Sequence, residues 1–288
     1  MSIPAGKVPI FESVKAGFAA ARGNLVPLLP AALIGALVVT VFNVLSARAG
    51  LSGNLLGQFF FQILTGAGIA LFFTAALRAS AGAGAGINAG TIGLAIKVFA
   101  ALAIVGFFLA IVFLVGAIPG FIVLGSVFAP YQSQLESVQG DVAGSMALME
   151  TVFRENGAAI LLVVIVYSAI WLALTSRLYL CAPASVEENR IATFETWRWT
   201  QGNLLRISAA RLLLLSPVLI VVAIIQAAAT AAFGVDSGDP QAMTALVREQ
   251  PALHGAISFL AAFASLILYG ACEAGLSQFL YRGLKPPP

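Results

Sequence analysis

The sequence predicts an all-α fold, a polytopic transmembrane helical bundle of about six spans with flanking interfacial amphipathic helices. Of its 288 residues, 60% are hydrophobic and 9% are charged, whereas soluble domains carry about 25% charged residues. Uncharged apolar stretches recur at lengths of about 20 residues or more, which is the length that a helix needs to cross a bilayer. We therefore expect residues 1–288 to form a single integral membrane domain.

The N-terminal part predicts a short interfacial helix followed by the first span. Apolar residues recur at helical spacing over residues 11–22, a pattern typical of an amphipathic helix in the membrane interface. The alternative is an extension of the first span, which covers about residues 25–45. Pro27 and Pro30 then fall in the first turns of that span, where lost backbone hydrogen bonds cost least.

The middle of the chain leaves one topological ambiguity. The uncharged run from Val98 to Leu135 is too long for one span of about 20 to 25 residues, and Pro119-Gly120 interrupts it. One interpretation is a span over about 98–117 followed by an interfacial segment. The other is a tight hairpin of two short spans that turns at Pro119-Gly120. The remaining spans are predicted at about 55–77, 158–176, 204–233 and 252–281.

A second amphipathic stretch precedes the fourth span. Val142, Met146, Met149 and Phe153 recur at i, i+4, i+7 and i+11 among charged residues. This spacing predicts a helix that rests on the outer membrane surface.

The basic residues predict the orientation. With six spans and with both the N- and C-termini cytoplasmic, only Arg48, Arg154 and Arg248 of the 15 Lys and Arg residues lie outside. Short cytoplasmic loops carry an excess of Lys and Arg, so this asymmetry favours that topology. A hairpin at Pro119-Gly120 would reverse everything after it, and we therefore prefer the single span over 98–117.

One acidic residue and one basic residue fall inside predicted spans. Glu273 lies nine residues before Arg282, and Arg211 lies nine residues after Gly202, so both are about 13 Å from the inner surface at the helical rise. Charges inside a membrane are costly and are usually paired or functional. We therefore predict that Arg211 and Glu273 form an intramembrane ion pair.

The second span carries a polar stripe. Gln58, Gln62 and Thr65 recur at i, i+4 and i+7, so they share one face of a helix. An unpaired amide in hydrocarbon is costly, and we expect the stripe to face other helices.

The longest polar interval among the spans extends from Ser176 to Asn203. It contains three candidate interfacial anchors, Phe194, Trp197 and Trp199, because aromatic residues are enriched where membranes meet water. Within it, Arg177-Leu178-Tyr179-Leu180, Ala182-Pro183, Glu188, Thr196-Trp197-Arg198 and Thr200-Gln201-Gly202 form a signature of about 30 residues.

This signature resembles that of a family of bacterial inner-membrane proteins of uncharacterised function, similar to the membrane domain attached to some glycerophosphoryl diester phosphodiesterases. The resemblance implies a six-helix fold in the bacterial inner (cytoplasmic) membrane. We expect residues 1–288 to contain no soluble catalytic domain, so the resemblance does not imply phosphodiesterase activity.

Catalytic, cofactor and metal sites are not expected. The chain has one histidine, His254, and two distant cysteines, Cys181 and Cys272, none with metal-ligand spacing. Gly84-x-Gly86 follows no strand, so its context does not fit nucleotide binding. The basic residues are dispersed, which argues against nucleic acid.

The composition and the thin inventory of reactive groups predict a non-catalytic membrane protein. We expect an interaction, scaffold or accessory subunit in a role such as envelope or lipid homeostasis. Its partners would be membrane lipids and either a membrane protein or a second copy of the chain. The alternative is a small-solute transporter or channel that uses the Glu273 and Arg211 pair, with the stripe Gln58, Gln62 and Thr65 lining the path.

Overall fold

The structure, a computed structural model, describes residues 7–138, 142–235 and 240–286. Within these ranges the chain is helical with short connections, and six helical stretches are long and apolar enough to cross a membrane. The all-α class is confirmed, and the chain has the character of a multi-pass membrane protein. The helices are α1 (Ile10–Leu51), α2 (Leu55–Ser80), α3 (Ala89–Phe128), α4 (Gln132–Ser137), α5 (Val142–Arg177), α6 (Cys181–Glu187), α7 (Thr196–Trp199), α8 (Leu204–Ala232), α9 (Pro240–Glu249), α10 (Pro251–Ala264) and α11 (Ala271–Leu284).

The first helix is longer than the sequence pattern indicates. Residues 11–22 are not a separate interfacial helix, because α1 continues from Ile10 through Pro27 and Pro30 to Leu51. Its 42 residues extend about 63 Å, roughly twice the thickness of the hydrocarbon core. Membrane helices tolerate internal proline when neighbouring helices and side chains compensate for the lost hydrogen bonds, so the alternative of an extended first span describes α1 better.

The third helix settles the ambiguity around Pro119. α3 runs without a turn from Ala89 to Phe128 with Pro119 inside it, so the chain does not form a hairpin at Pro119-Gly120. A short 3-10 turn, Ala129–Tyr131, and α4 follow.

The second amphipathic stretch and the fourth span are parts of one helix with a kink. Asn156 has non-helical backbone angles (φ −120°, ψ 16°) inside α5. The stretch around 142–153 and the predicted span 158–176 meet at this residue. The change from an amphipathic to an apolar pattern near Asn156 therefore corresponds to a kink rather than to a loop.

The chain divides into two compact units, which we name by size. The large unit comprises Met1–Val105 and Ser176–Pro288, and the small unit comprises Gly106–Thr175. In the large unit α1 packs against α2, α8, α10 and α11. Its core contains fully buried large side chains: Leu28, Phe72, Leu77, Leu180, Ile207, Leu214, Leu276 and Leu280.

Small residues allow the helices of the large unit to approach closely. A Cβ atom added at Gly275 would lie 2.6 Å from the Cβ of Ala20 and 3.0 Å from the carbonyl oxygen of Gly17. At the contact of α1 with α2, a Cβ at Gly68 would lie 2.9 Å from the carbonyl oxygen of Gly35. Such contacts between backbones drive helix association in membranes, where lipid is as apolar as leucine.

The small unit has a thinner core. Its buried cluster consists of Val127, Tyr131, Leu148, Val152 and Ile160. Tyr131 donates a hydrogen bond through its hydroxyl to the carboxylate of Glu155, and Phe113 packs edge-on against Tyr167 and Trp171 with ring centroids 5.9 and 5.3 Å apart.

Tyr167 inserts its hydroxyl group into the backbone of α3. The hydroxyl oxygen accepts a hydrogen bond from the Gly120 amide at 2.8 Å and donates one to the Gly116 carbonyl oxygen at 2.9 Å. In a regular α-helix these two backbone groups bond to each other. Tyr167 therefore bridges the turn that contains Pro119, and a Cβ at residue 120 would overlap its ring.

Candidate functional site

Arg211 and Glu273 lie together within the membrane-spanning part of the large unit. Arg211 is on α8 and Glu273 is on α11, and Arg211 Nη2 lies 3.9 Å from Glu273 Oε1. The side chains are only 12% and 18% exposed. The structure thus brings together the two residues that the sequence places at equal depth, at the outer limit of direct ion-pair contact.

Arg211 is also held by groups that the sequence pattern does not single out. Its Nη1 atom donates a hydrogen bond to Ser176 Oγ at 3.0 Å, and Ser208 Oγ donates to the same oxygen at 3.1 Å. The guanidinium carbon lies 4.4 Å from the ring centroid of Tyr179, which is cation–π geometry. Arg211 therefore connects α8 to the end of α5 and to the turn that follows α5.

Two tyrosines complete the surroundings of Glu273. The Tyr179 hydroxyl donates a hydrogen bond to the backbone oxygen of Glu273 at 3.3 Å. The Tyr269 hydroxyl interacts with the Glu273 carboxylate. Tyr269 belongs to a π-helical segment, Ser265–Gly270, that joins α10 to α11. Such segments are rare in proteins and frequently occur at functional sites.

A cavity of about 180 Å³ reaches Glu273. Its polar groups are Glu273, Tyr269 and Ser265, and the rest of its wall is apolar. The volume is below that of typical pockets for drug-sized ligands, about 300 to 1,000 Å³, so the space suits water or a small solute. The other lining residues are Val39, Ile69, Phe72, Phe73, Ala262, Leu266 and Gly270.

The polar stripe of α2 faces α1 but not this cavity. Ser46 Oγ donates hydrogen bonds to the Gln58 backbone oxygen at 3.1 Å and to Gln62 Oε1 at 3.5 Å. Thr65 Oγ1 donates to Asn43 Oδ1 at 3.3 Å. Thr65 is buried, whereas Gln58 and Gln62 are exposed. None of the stripe residues lines the cavity at Glu273, so the two features do not form one path.

The three aromatic residues of the polar interval separate into two groups. Phe194 and Trp197 are 43% and 37% exposed, as an interfacial anchor requires, and the Arg177 guanidinium carbon lies 5.5 Å from the Trp197 ring centroid. Trp199 instead packs against the core of the large unit, with its ring centroid 5.9 Å from that of Tyr281. Residues two apart in a helix point about 200° apart, so both Trp side chains cannot face outward from α7.

A charged network joins the polar interval to the end of α11. Lys285 Nζ lies 3.0 Å from Glu188 Oε1, and the Tyr281 hydroxyl donates to the same oxygen at 3.1 Å. Arg190 bonds to Glu188 and also pairs with Glu195 at 2.7 Å. Partial burial raises the pKa of Glu188, but the hydrogen bonds from Lys285, Arg190 and Tyr281 outweigh it, so this pKa lies below its usual value.

The sequence offers an uneven signal for the residues around the ion pair. Tyr269 precedes Glu273 by four residues, so helical spacing could have identified it. Ser176 and Tyr179 lie at the end of a span and in a turn, where no periodicity operates, and only the folded chain places them beside Arg211.

The geometry contains few groups suited to catalysis or metal binding. In the described ranges, no group of three or more His, Cys, Asp or Glu side chains could hold a metal ion. Cys181 and Cys272 are both buried and free. No protein-family model, no curated protein and no solved structure matches the chain. The geometry itself therefore carries the functional interpretation.

Proposed function

We propose that the chain is a non-catalytic integral membrane protein that acts as an interaction, scaffold or accessory subunit. One observation carries the proposal. In the most apolar 18-residue window of Gly144–Glu187, which includes most of α5, 6% of the residues are buried, against 44% in the corresponding window of α2. We propose that the exposed surface of α5 binds a membrane protein or a second copy of the chain.

The small unit lacks packing contacts, and this lack favours a partner more than its hydropathy does. Exposed apolar residues cost little in lipid, because helix association in membranes depends on close contacts and hydrogen bonds. The small unit has few such contacts of its own beyond the five residues of its buried cluster and the Tyr167 bridge. Large side chains on its two long helices remain exposed, among them Phe107 (72%), Phe121 (60%) and Ile165 (55%). A second helical surface would supply the packing that this unit lacks.

The proposed location is the bacterial inner membrane, with both termini in the cytoplasm. The distribution of Lys and Arg residues supports the orientation. The signature between Arg177 and Gly202 supports kinship with the inner-membrane family that resembles the phosphodiesterase membrane domain. A role in envelope or lipid homeostasis accords with that resemblance.

Photo-crosslinking from matched positions tests the proposal. A photoreactive residue would replace Phe121 in the small unit or, as a control, Leu37 in the large unit, because the two are similarly exposed at 60% and 57%. In native membranes we expect a discrete protein adduct from position 121 and only lipid adducts from position 37. Lipid adducts alone at position 121, or a crosslink within the same chain, would contradict the proposal.

A second candidate function is the passage of a small solute or proton, and one observation favours it. The cavity of about 180 Å³ places space beside the carboxylate of Glu273, next to the π-helical segment. Reconstituted vesicles with a potential across the membrane would test for proton entry with an internal pH dye. This candidate requires a proton current that is lost in Glu273→Gln and kept in Glu150→Gln, because Glu150 is an exposed acid of the small unit. An equal signal in protein-free vesicles would exclude proton passage.

A further inference from the structure

A second, larger groove lies on the opposite side of the π-helical segment from the Glu273 cavity. It has a volume of about 320 Å³, the low end of the range for ligand pockets. Ala21 of α1, Val218 of α8 and Cys272 of α11 are buried residues that line it, whereas Phe18 and Val221 are 42% and 47% exposed. The groove therefore has a buried floor and exposed lips. Its other apolar residues are Leu25, Pro217, Ile267 and Leu268.

One cation lies on the rim of this apolar groove. Arg22 lines it and is exposed, and within residues 7–138, 142–235 and 240–286 it forms no ion pair or side-chain hydrogen bond with the protein. Lys15, Phe18, Arg22 and Leu25 recur at i, i+3, i+7 and i+10, so they form one stripe of α1. A second cation, Lys15, is thus on the same face as the groove and about 10 Å from Arg22 along the helix.

We propose that this groove binds an anionic glycerophospholipid, with one acyl chain along the apolar floor and the phosphate on Arg22. An apolar groove inside a membrane span meets either acyl chains or another helix. A helix is about 10 to 12 Å wide with its side chains, too wide for a space of about 320 Å³, whereas a single acyl chain is narrow enough to enter.

Charge complementarity selects the headgroup. The planar guanidinium of Arg22 binds phosphate oxygens through paired hydrogen bonds, and such bonds are strong because both groups are charged. A zwitterionic lipid carries its own cation beside the phosphate. The two protein cations Lys15 and Arg22 therefore favour a headgroup with net negative charge.

Lipid retention measures the proposal directly. The protein would be reconstituted in discs with equal amounts of phosphatidylglycerol and phosphatidylcholine, extracted in mild detergent, and the lipid that stays bound would be quantified by native mass spectrometry. We expect about one phosphatidylglycerol per chain, in excess over phosphatidylcholine. Arg22→Gln should lower its retention at least about tenfold, since a hydrogen bond to a charged group is lost.

Matched variants separate the groove from general effects. Val221→Trp fills the groove from its lip, and we expect it to lower retention as Arg22→Gln does. Ile220→Trp adds the same side chain on an adjacent exposed position of α8 outside the groove, and Arg48→Gln removes a charge from the other end of α1. Both controls should retain lipid as the natural sequence does. Equal retention in Arg22→Gln and Arg48→Gln, bound lipid that matches the bulk mixture, or a protein helix crosslinked in the groove would overturn the proposal.

Discussion

The helices of the small unit are at least as apolar as the first two helices of the large unit, yet they are much less buried. The most apolar windows of Ala89–Ser137 and Gly144–Glu187, which supply the small unit, have mean hydropathies of 3.1 and 2.5 and are 22% and 6% buried. Those of α1 and α2 have mean hydropathies of 2.5 and 1.8 and are 39% and 44% buried. Burial in this membrane protein therefore does not follow hydropathy.

Glycine contacts between helices distinguish the two units. In the large unit, Gly17, Gly35, Gly68 and Gly275 all lie at backbone contacts between helices. In the small unit, a Cβ added to the helical residues Gly106, Gly116, Gly125 or Gly157 would meet nothing within 4 Å. A glycine in a helix therefore indicates a helix contact only where the backbone of a second helix lies against it.

Removal of Arg211 from the large unit should cause the largest loss of stability. Arg211→Ala leaves the carboxylate of Glu273 buried without its cation, and breaking such a pair costs about 3 kcal/mol or more. We expect a large drop in the melting temperature measured in lipid. Arg154→Ala in the small unit is the control, because Arg154 is exposed and its loss should change stability by less than about 0.5 kcal/mol.

A double variant sharpens this prediction. Arg211→Met combined with Glu273→Leu removes both charges and keeps the volume, so it should recover most of the stability that Arg211→Ala loses. If Arg211→Ala has the same melting temperature as the natural protein, the ion pair does not stabilise the large unit.

The second prediction concerns the glycine contacts. Gly275→Ala places a methyl group where Ala20 and the backbone of Gly17 already lie, and overpacking of this kind costs about 1 to 3 kcal/mol. Gly125→Ala in α3 enters open space and should be neutral or stabilising by up to about 1 kcal/mol. Thermal unfolding of both variants tests the contrast, which fails if Gly275→Ala is the more stable of the two.

The third prediction tests the bridge that Tyr167 makes to α3 in the small unit. Tyr167→Phe removes the hydroxyl that bonds Gly116 and Gly120, and we expect a loss of about 1 kcal/mol, because the backbone groups can partly pair again. Hydrogen exchange at the Gly120 amide should accelerate. Ser126→Ala removes a hydroxyl that bonds only to Val123 in its own helix, and it should leave exchange at Gly120 unchanged.

The smallest effect on stability is expected when Glu188 loses its charge at low pH. The folded-state pKa of Glu188 is lowered by its bonds to Lys285, Arg190 and Tyr281, which outweigh the opposite effect of burial. The carboxylate therefore contributes stability above its unfolded-state pKa and loses it as the pH falls through the folded-state value. Glu188→Gln should cost up to about 1 kcal/mol at pH 7 and nothing once the pH is below both values. If Glu188→Gln costs the same stability at pH 7 and below both pKa values, the contribution of Glu188 is not electrostatic.

Sequence reasoning succeeded where one physical rule operates over a long stretch. Length and hydropathy predicted about six apolar spans, and the described residues contain six helices long and apolar enough to cross a membrane. Equal depth identified Arg211 and Glu273 as neighbours. It failed where tertiary contacts override a local signal. Pro27 and Pro30 suggest the start of a helix and Pro119 suggests an interruption, yet the chain continues as helix through all three. The π-helical segment leaves no periodic trace in the sequence. The Tyr167 bridge leaves none either, because its two ends are 47 residues apart in the chain.

The π-helical segment makes the register of the last span dependent on a single residue. A π turn holds one residue more than an α turn, because its hydrogen bonds run from i to i+5. Everything after Ser265–Gly270 is therefore rotated by about 100° relative to a continuous α-helix. Deletion of Leu268 would restore regular α geometry without changing the apolar character of the span. The same deletion would turn Glu273 away from Arg211 and Gly275 away from α1. The number of residues in the π-helical segment therefore determines whether both contacts form.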